Sequence, residues 1–465
     1  MKRLISWLLL AILLTLTATS CGPDTPPTPE ETELLQVGNE LPRNQLQLKQ
    51  SAELEDNRIG IFFCDLWYPQ PETFPDGVLD AGHILSEGVK RVRFAINHLD
   101  STEAHWDIPE NTIDPSHDEF VTILADNGIT MTFVLSFWDK TYKADGGNIP
   151  SPRFKTEEDI QRYLDYVRLI VRHFKDRVEY YEIWNEPDIG GTIQWIEVED
   201  YINLVQRTVP VIREEYPEAK IVVSGSHPGT PNGLDYLFAI ISSDEIMPLV
   251  DVISWHAMYG TSPEHNNEYY YNYPSIVQEI KDVASAHGFN GEYVADELSW
   301  MTSGVPFPGQ QPSYSETICA KYYARGILMN LGMDVSVSQF YYVPPSGQPL
   351  QIINVIQNLC TVMAGAEPAS LSVEIDSDAE NIVSYAFSLS NGDKLLALWV
   401  DGIATDGNPS LEATLTIPDF SAQKVVAIDV LNGIEQELIT STDDKDLVIS
   451  NLLVKDYPII IRFTP

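Results

Sequence analysis

The chain has 465 residues, 44% hydrophobic and 10% aromatic, enough apolar side chain for a sizeable core. Its 68 acidic residues against 28 basic ones leave a formal charge of −40. Such a surface repels nucleic-acid phosphates and anionic lipid headgroups, so it argues against a nucleic-acid partner and favours a neutral one.

The N-terminus reads as an export signal over residues 1–20. Lys2 and Arg3 precede a nearly continuous apolar run from Leu4 to Leu16, short for a spanning helix of about 20 residues and right for a signal. Ala18-Thr19-Ser20-Cys21 resembles a bacterial lipobox, with Ala18 where that pattern usually carries Leu. The resemblance implies acylation of Cys21, a cell-surface or envelope lipoprotein, and a membrane partner through this lipid alone; the alternative is a plain secretory signal cut nearby and a fully secreted protein. The remaining cysteines, Cys64, Cys319 and Cys360, show neither disulfide nor metal spacing and read as buried thiols. From Cys21 to Asn57 the composition is rich in Pro, Thr, Glu and Gln, which predicts a flexible tether.

From Arg58 strand-like runs alternate with amphipathic helices. The strand candidates are Arg58–Phe63, Arg91–Ile96, Ile129–Ser136, Val178–Trp184, Ile221–Ser226, Val250–Trp255, Glu292–Glu297 and Val335–Tyr341. Seven helical stretches separate them. The clearest begins after Thr156, an N-cap, and places Ile160, Tyr163, Leu164, Val167, Ile170, Val171 and Phe174 on one face. Gly128, Gly288 and Gly332 are placed as helix C-caps, and Pro210 should kink its helix. Eight strands alternating with helices over residues 58–366 predict a (β/α)8 TIM barrel. An open doubly wound sheet would carry a glycine-rich phosphate loop after its first strand, whereas IGIFFCDLWYP stands there. Residues 367–465 change character. IVSYAFSL, KLLALWV, LEATLTI, KVVAIDV and YPIIIRF alternate with turn signals, predicting an all-β sandwich that supports the barrel.

A barrel's active site lies at the C-terminal ends of its strands. Strand four ends in YYEIWNEPD and strand seven in YVADELSW, which brings Glu186 and Glu297 to one mouth. A carboxylate pair can cleave a glycosidic bond with retention, one group protonating the leaving oxygen while the other attacks the anomeric carbon. The acid then needs a raised pKa and the nucleophile must stay ionised. Strand alternation sends Asp296 away from the side of Glu297.

WNEP on strand four, the Glu ending strand seven, and SWHAMYG ending strand six resemble clan A glycoside hydrolases, a superfamily of retaining barrels. The β-domain is similar to that of the β-xylosidase and α-L-iduronidase family. The resemblance implies Glu186 as acid/base and Glu297 as nucleophile, with Asn185 bonding the sugar hydroxyl beside the reacting carbon. It implies Arg93 holding Glu297 ionised, and His256 and Tyr259 near the nucleophile. Trp67, Trp106, Trp138, Trp195 and Trp300 fall just after strand ends, where an indole can stack on a sugar face. Trp138 and Trp300 are taken as substrate-binding. At the end of strand eight many clan members carry Trp, where this chain has Tyr341 and Tyr342; Tyr341 is the candidate platform.

The reading is thus a retaining O-glycosidase acting on an extracellular carbohydrate substrate, with no metal or cofactor. Its pH–rate profile should be bell-shaped, the ascending limb from Glu297 and the descending limb from Glu186. The competing reading is a catalytically silent glycan-binding surface lipoprotein.

Overall fold

All eight strand candidates pair in parallel and close on themselves. They are β1 Ile59–Cys64, β2 Arg91–Ala95, β3 Thr130–Val134, β4 Tyr180–Ile183, β5 Lys220–Ser226, β6 Val252–Tyr259, β7 Glu292–Ser299 and β8 Val337–Tyr341. Each strand pairs with the next, and β8 pairs with both β7 and β1. The computed structural model describes residues 34–64, 81–95, 113, 115–136, 152–190, 192, 194–302, 312–341 and 350–465, and all that follows lies in one compact unit, Leu35–Pro465. No helix among the described residues is long and apolar enough to cross a membrane.

A helix lies between each pair of successive strands, and a further one, Leu350–Val362, follows β8. Glu157–Phe174 shows why they form. The Thr156 hydroxyl accepts the Asp159 backbone N–H at 3.2 Å, and the seven apolar residues picked out by period are all buried. Each such side chain contributes roughly 1.5–3 kcal/mol when fully buried. Val198–Glu215 continues through Pro210 as one helix.

Two antiparallel sheets form the β-sandwich. The larger orders its strands Arg43–Gln45, Ile434–Glu437, Lys424–Asp429, Ile459–Thr464, Lys394–Val400, Ile382–Ser388, Glu367–Pro368. The smaller orders Glu374–Ser377, Ser410–Ile417, Asp446–Lys455, Ser441–Asp443. The five segments predicted from sequence are all strands. The tether expected over residues 21–57 is corrected in its second half, because the first sandwich strand comes from it. Leu35 is fully buried in the sandwich core, and the Gln36 amide donates to the carbonyls of Ile439 and Ser450 at 2.8 and 2.9 Å. Polar composition concealed these anchors, since one buried leucine and one satisfied amide leave little periodic signal. Residues 1–20, Cys21 and the tether as far as residue 33 lie outside the described residues.

The helix Glu316–Gly332 docks barrel on sandwich. Lys321, fully buried, donates to Asp456 Oδ1 at 2.7 Å and to the Thr405 carbonyl at 2.8 Å. The Arg325 guanidinium donates to the Asp456 carbonyl at 3.1 Å. Gly332 is not the left-handed cap predicted. Asp334 takes the positive φ there, while a Cβ on Gly332 would lie 2.1 Å from the Tyr385 ring. Glycine is needed at that position to let the sandwich approach. Cys319 and Cys360 are buried free thiols, and the side chain of Cys64 lies outside the described residues.

Candidate active site

The centre of the site is an arginine with no exposure. Arg93 on β2 donates from Nε and Nη2 to the two oxygens of Glu182 on β4, at 2.7 and 2.8 Å. Its Nη2 also donates to Asn185 Oδ1 at 2.8 Å. Asp296 lies 3.4 Å from Nε and Glu297 3.5 Å from Nη1. The guanidinium rests on the Phe62 ring, 4.3 Å from its centroid, a cation–π contact that asks nothing of the remaining donors. Gly225 at the bulged end of β5 makes the room, since a Cβ there would lie 2.8 Å from Glu182 Oε1.

Past Ile183 the chain leaves β4 with two non-glycine residues at positive φ, Trp184 at 71° and Glu186 at 48°. Conformations of this kind cost about 1–3 kcal/mol each and persist where surrounding contacts enforce them. Here the Trp184 indole, packed on Phe154 and Tyr163, donates to the Gln194 carbonyl at 2.7 Å. The Ile196 N–H bonds the Pro187 carbonyl at 3.0 Å. So held, the Gln194 side chain accepts from Asn185 Nδ2 at 2.8 Å and donates to Glu186 Oε2 at 2.7 Å.

On the other side stands His256, fully buried at the bulged end of β6. Its Nδ1 is 3.2 Å from Glu186 Oε1, and its Nε2 is 3.7 Å from Glu297 Oε2. One imidazole thus faces both carboxylates. The Tyr259 hydroxyl lies 3.3 Å from His256 Nδ1 and is hydrogen-bonded to Glu297. The expectation for Asp296 is corrected. Register shifts between β6 and β7 at His256 break strict alternation, and Asp296 and Glu297 both face Arg93 and His256.

The charges settle as follows. Burial, with the charge of Glu186 adding to it, pushes Glu297 up to about 7 against the pull of His256 and Arg93. Burial would raise Glu186 too, but the hydrogen bonds from His256 and Gln194 hold it below its ordinary value. Burial would lower His256, yet Glu297, Asp296 and Glu186 outweigh it and push the imidazole up to about 9. Burial drives Glu182 up to about 7 although Arg93 opposes it. Near neutral pH Arg93 and His256 are therefore cations, and the proton that the carboxylate pair shares resides more on Glu297 than on Glu186. This reverses the distribution expected for an acid at Glu186. The cause is that Glu186 has two donors and Glu297 lies deeper.

Of the other predicted residues, Tyr341 ends β8 against Phe62, Ala95 and Val134, within the wall beside Arg93. Trp300 is corrected as a sugar platform. Its indole N–H is given to the Thr261 carbonyl at 2.8 Å and its ring is buried against Tyr322 and Tyr323. Trp67, Trp106, Trp138 and Tyr342 lie outside the described residues. Sequence reasoning missed four neighbours. Glu182 sits on a strand already found, four positions before Glu186, and its inward parity could have shown it. Gln194, Asp188 and His227 sit in turns and gave no periodic signal. His227 packs tilted against Tyr259, 4.9 Å between centroids, and burial pulls it down to about 4, while burial raises Asp188 to about 6. No group of His, Cys, Asp and Glu among the described residues could hold a metal ion.

Together these features define an eight-stranded parallel barrel with a paired-carboxylate centre at the C-terminal ends of β4 and β7. No family model matches the chain. Over 149 residues it is 25% identical to the endo-1,4-β-xylanase A of Thermotoga maritima, a stretch that covers 29% of this chain and 13% of that protein. Its fold is similar to that of a family 39 glycoside hydrolase from the gut symbiont Bacteroides cellulosilyticus WH2, with TM-score 0.60 and 15% identity over 90% of this chain and 82% of that one. It is similar also to a family 51 α-L-arabinofuranosidase from Bifidobacterium longum, with TM-score 0.58 and 12% identity over 91% and 100%. A monomeric β-xylosidase from Caulobacter crescentus CB15 superposes with TM-score 0.53 and 13% identity over 90% and 99%. These three solved structures are of a glycoside hydrolase, an arabinofuranosidase and a xylosidase, and what this chain shares with them is the fold.

Proposed function

We propose that the protein is a retaining glycoside hydrolase that cleaves O-glycosidic bonds of a neutral oligo- or polysaccharide by double displacement. The observation that carries this reading is the meeting of Glu186 and Glu297 at one barrel mouth, on the two nitrogens of a single imidazole. Glu297, oriented by Tyr259 and faced by Arg93, attacks the anomeric carbon. Glu186, less deeply placed, gives a proton to the departing oxygen and later takes one from water. A glycosidic oxygen set against Glu186 favours the proton on that side, and His256 lies where it can ease the shift. Two carboxylates supply both steps, so the reaction calls for no metal or organic cofactor.

Hydrolysis of a panel of aryl glycosides and polysaccharides, with the anomer of the first product read by NMR, tests the reading. A product of inverted configuration, or binding without turnover in calorimetry, would replace it. The pair works while it holds one proton, and its two titrations belong to the pair rather than to either residue. Activity should therefore rise as pH increases through a value below 4.5 and fall as pH increases through about 7. A rate flat from pH 4 to pH 9 would count against the mechanism.

We further propose that the enzyme works outside the cytoplasm, anchored by a lipid on Cys21. The support is the charged, apolar and small-residue order of residues 1–20. Cys21→Ser should release the protein from the membrane fraction of an expressing bacterium without changing its specific activity. Continued sedimentation with membranes would remove the anchor from the proposal.

A further inference from the structure

The chain of side chains from Arg93 to Glu186 has a fixed polarity. Arg93 can only donate, so Asn185 must present its oxygen to Nη2 and its nitrogen to Gln194. Gln194 must in turn accept at Oε1 and donate from Nε2, and the acceptor it meets is Glu186 Oε2. No flip of either amide keeps all three hydrogen bonds. The guanidinium that faces Glu297 at 3.5 Å thereby also determines which way Gln194 turns toward Glu186. The loop is built to hold this residue. The carbonyl of Gln194 is taken by the buried Trp184 indole, its N–H by Thr192 Oγ1 at 3.2 Å, and the next carbonyl, that of Trp195, by the Arg153 N–H at 2.8 Å.

We propose that Gln194 is a positioning residue for the acid/base carboxylate, joining Glu186 through Asn185 to the arginine that orients the nucleophile. It does not need to touch the reacting atoms. Its amide sets the rotation of the Glu186 carboxyl, leaving Oε1 toward His256 and occupying Oε2. The other titratable groups facing Glu186 are His256 on β6, His227 after β5, Glu297 on β7, Tyr259 and its near neighbour Asp188. Gln194 is the uncharged donor among them, so its contribution can be removed without changing the charge of the site. The inference rests on the glycosidase reading for its kinetic consequences, while the hydrogen bond itself can be followed in an inactive protein.

Two variants test it, Gln194→Ala and Gln194→Met, the second keeping length and packing while losing the amide. With a glycoside of a poor, alkoxide-like leaving group, both should lose about tenfold or more in kcat/KM, which reports the bond-breaking first step alone, because the proton donor is no longer held in line. With a dinitrophenyl leaving group, which departs without a proton, the loss should be threefold or less. The acidic limb of the pH profile should move up by about one pH unit, since an ionised carboxylate has lost a donor. Carbon-13 titration of labelled glutamate carboxyls, with the Glu186 signal assigned through Glu186→Gln, should show the same upward move whether or not any sugar is cleaved. Equal losses on both leaving groups, or wild-type behaviour of Gln194→Met, would overturn the role. An unmoved Glu186 titration would also overturn it, even in a protein that hydrolyses nothing. Wild-type protein without turnover would instead remove the glycosidase reading and leave the titration to decide on Gln194.

Discussion

Glu297→Ala should reduce hydrolysis of an aryl glycoside by about 10⁴-fold or more, the scale of loss when a covalent nucleophile is deleted. Glu186→Ala should cost about 10²–10⁴-fold in kcat/KM on a poor leaving group, as for a missing general acid, and far less in kcat/KM on a dinitrophenyl glycoside, whose departure needs no proton. Added azide separates the roles. In Glu297→Ala it enters from the face that the carboxylate occupied and gives a glycosyl azide of inverted configuration. In Glu186→Ala it attacks the glycosyl-enzyme and gives the retained one. Product anomers read by NMR check both assignments, and exchanged outcomes would exchange the two residues. Rates of Glu297→Ala close to wild type would end the double-displacement account. The swap is worth testing directly, because burial and hydrogen bonding place the resting proton nearer the nucleophile than the acid.

Arg93→Met should destabilise the fold by about 3–5 kcal/mol, the usual cost of leaving a buried ion-pair partner alone. Arg93 has no exposure, and three buried carboxylates converge on it, those of Glu182, Asp296 and Glu297. The cost should depend on pH, with a sign set by linkage. Glu182 and Glu297 bind protons more tightly folded than unfolded. Between their ordinary value of 4.5 and about 7 the native state therefore holds more protons, and stability falls as pH rises. Without the guanidinium both carboxyls are raised further, so the fall should become deeper and extend above pH 7. Thermal unfolding of wild type and variant from pH 5 to pH 9 checks this. Melting temperatures that run parallel across the range would show that Arg93 does not govern the cluster.

The barrel was legible because its signals are local and repeated. Each strand is a short apolar run, and a helix such as Glu157–Phe174 shows both its cap and its buried face in sequence. Glu186 and Glu297 were legible by place, at the ends of β4 and β7. What failed was whatever depends on irregular backbone. Asp296 escaped because a register shift beside His256 overrides the period of two. Trp300 stands just after a strand end as a platform would, yet the Thr261 carbonyl and two tyrosine rings claim it. Gln194 acquires its role from a loop closed by Trp184 and Pro187, partners whose meeting no spacing rule foretells. Leu35 and Gln36 were hidden in a stretch whose average composition is that of a linker.

That first strand has a bearing on biosynthesis. Arg43–Gln45 pairs with Ile434–Glu437, so the sandwich takes strands from both sides of the barrel in sequence, and the whole barrel is made before this pair can form. A ribosome adding about 5–20 residues per second leaves the early segment waiting tens of seconds for its partner strand. Throughout that interval Leu35 has no core to enter, and Lys321 and Arg325, once made, wait for the carbonyls of Thr405 and Asp456 that bury their charge. The nascent chain therefore carries a sticky edge and two cations bound only by water until the sandwich strands emerge, the period in which a chaperone or a translocation partner would find it most receptive.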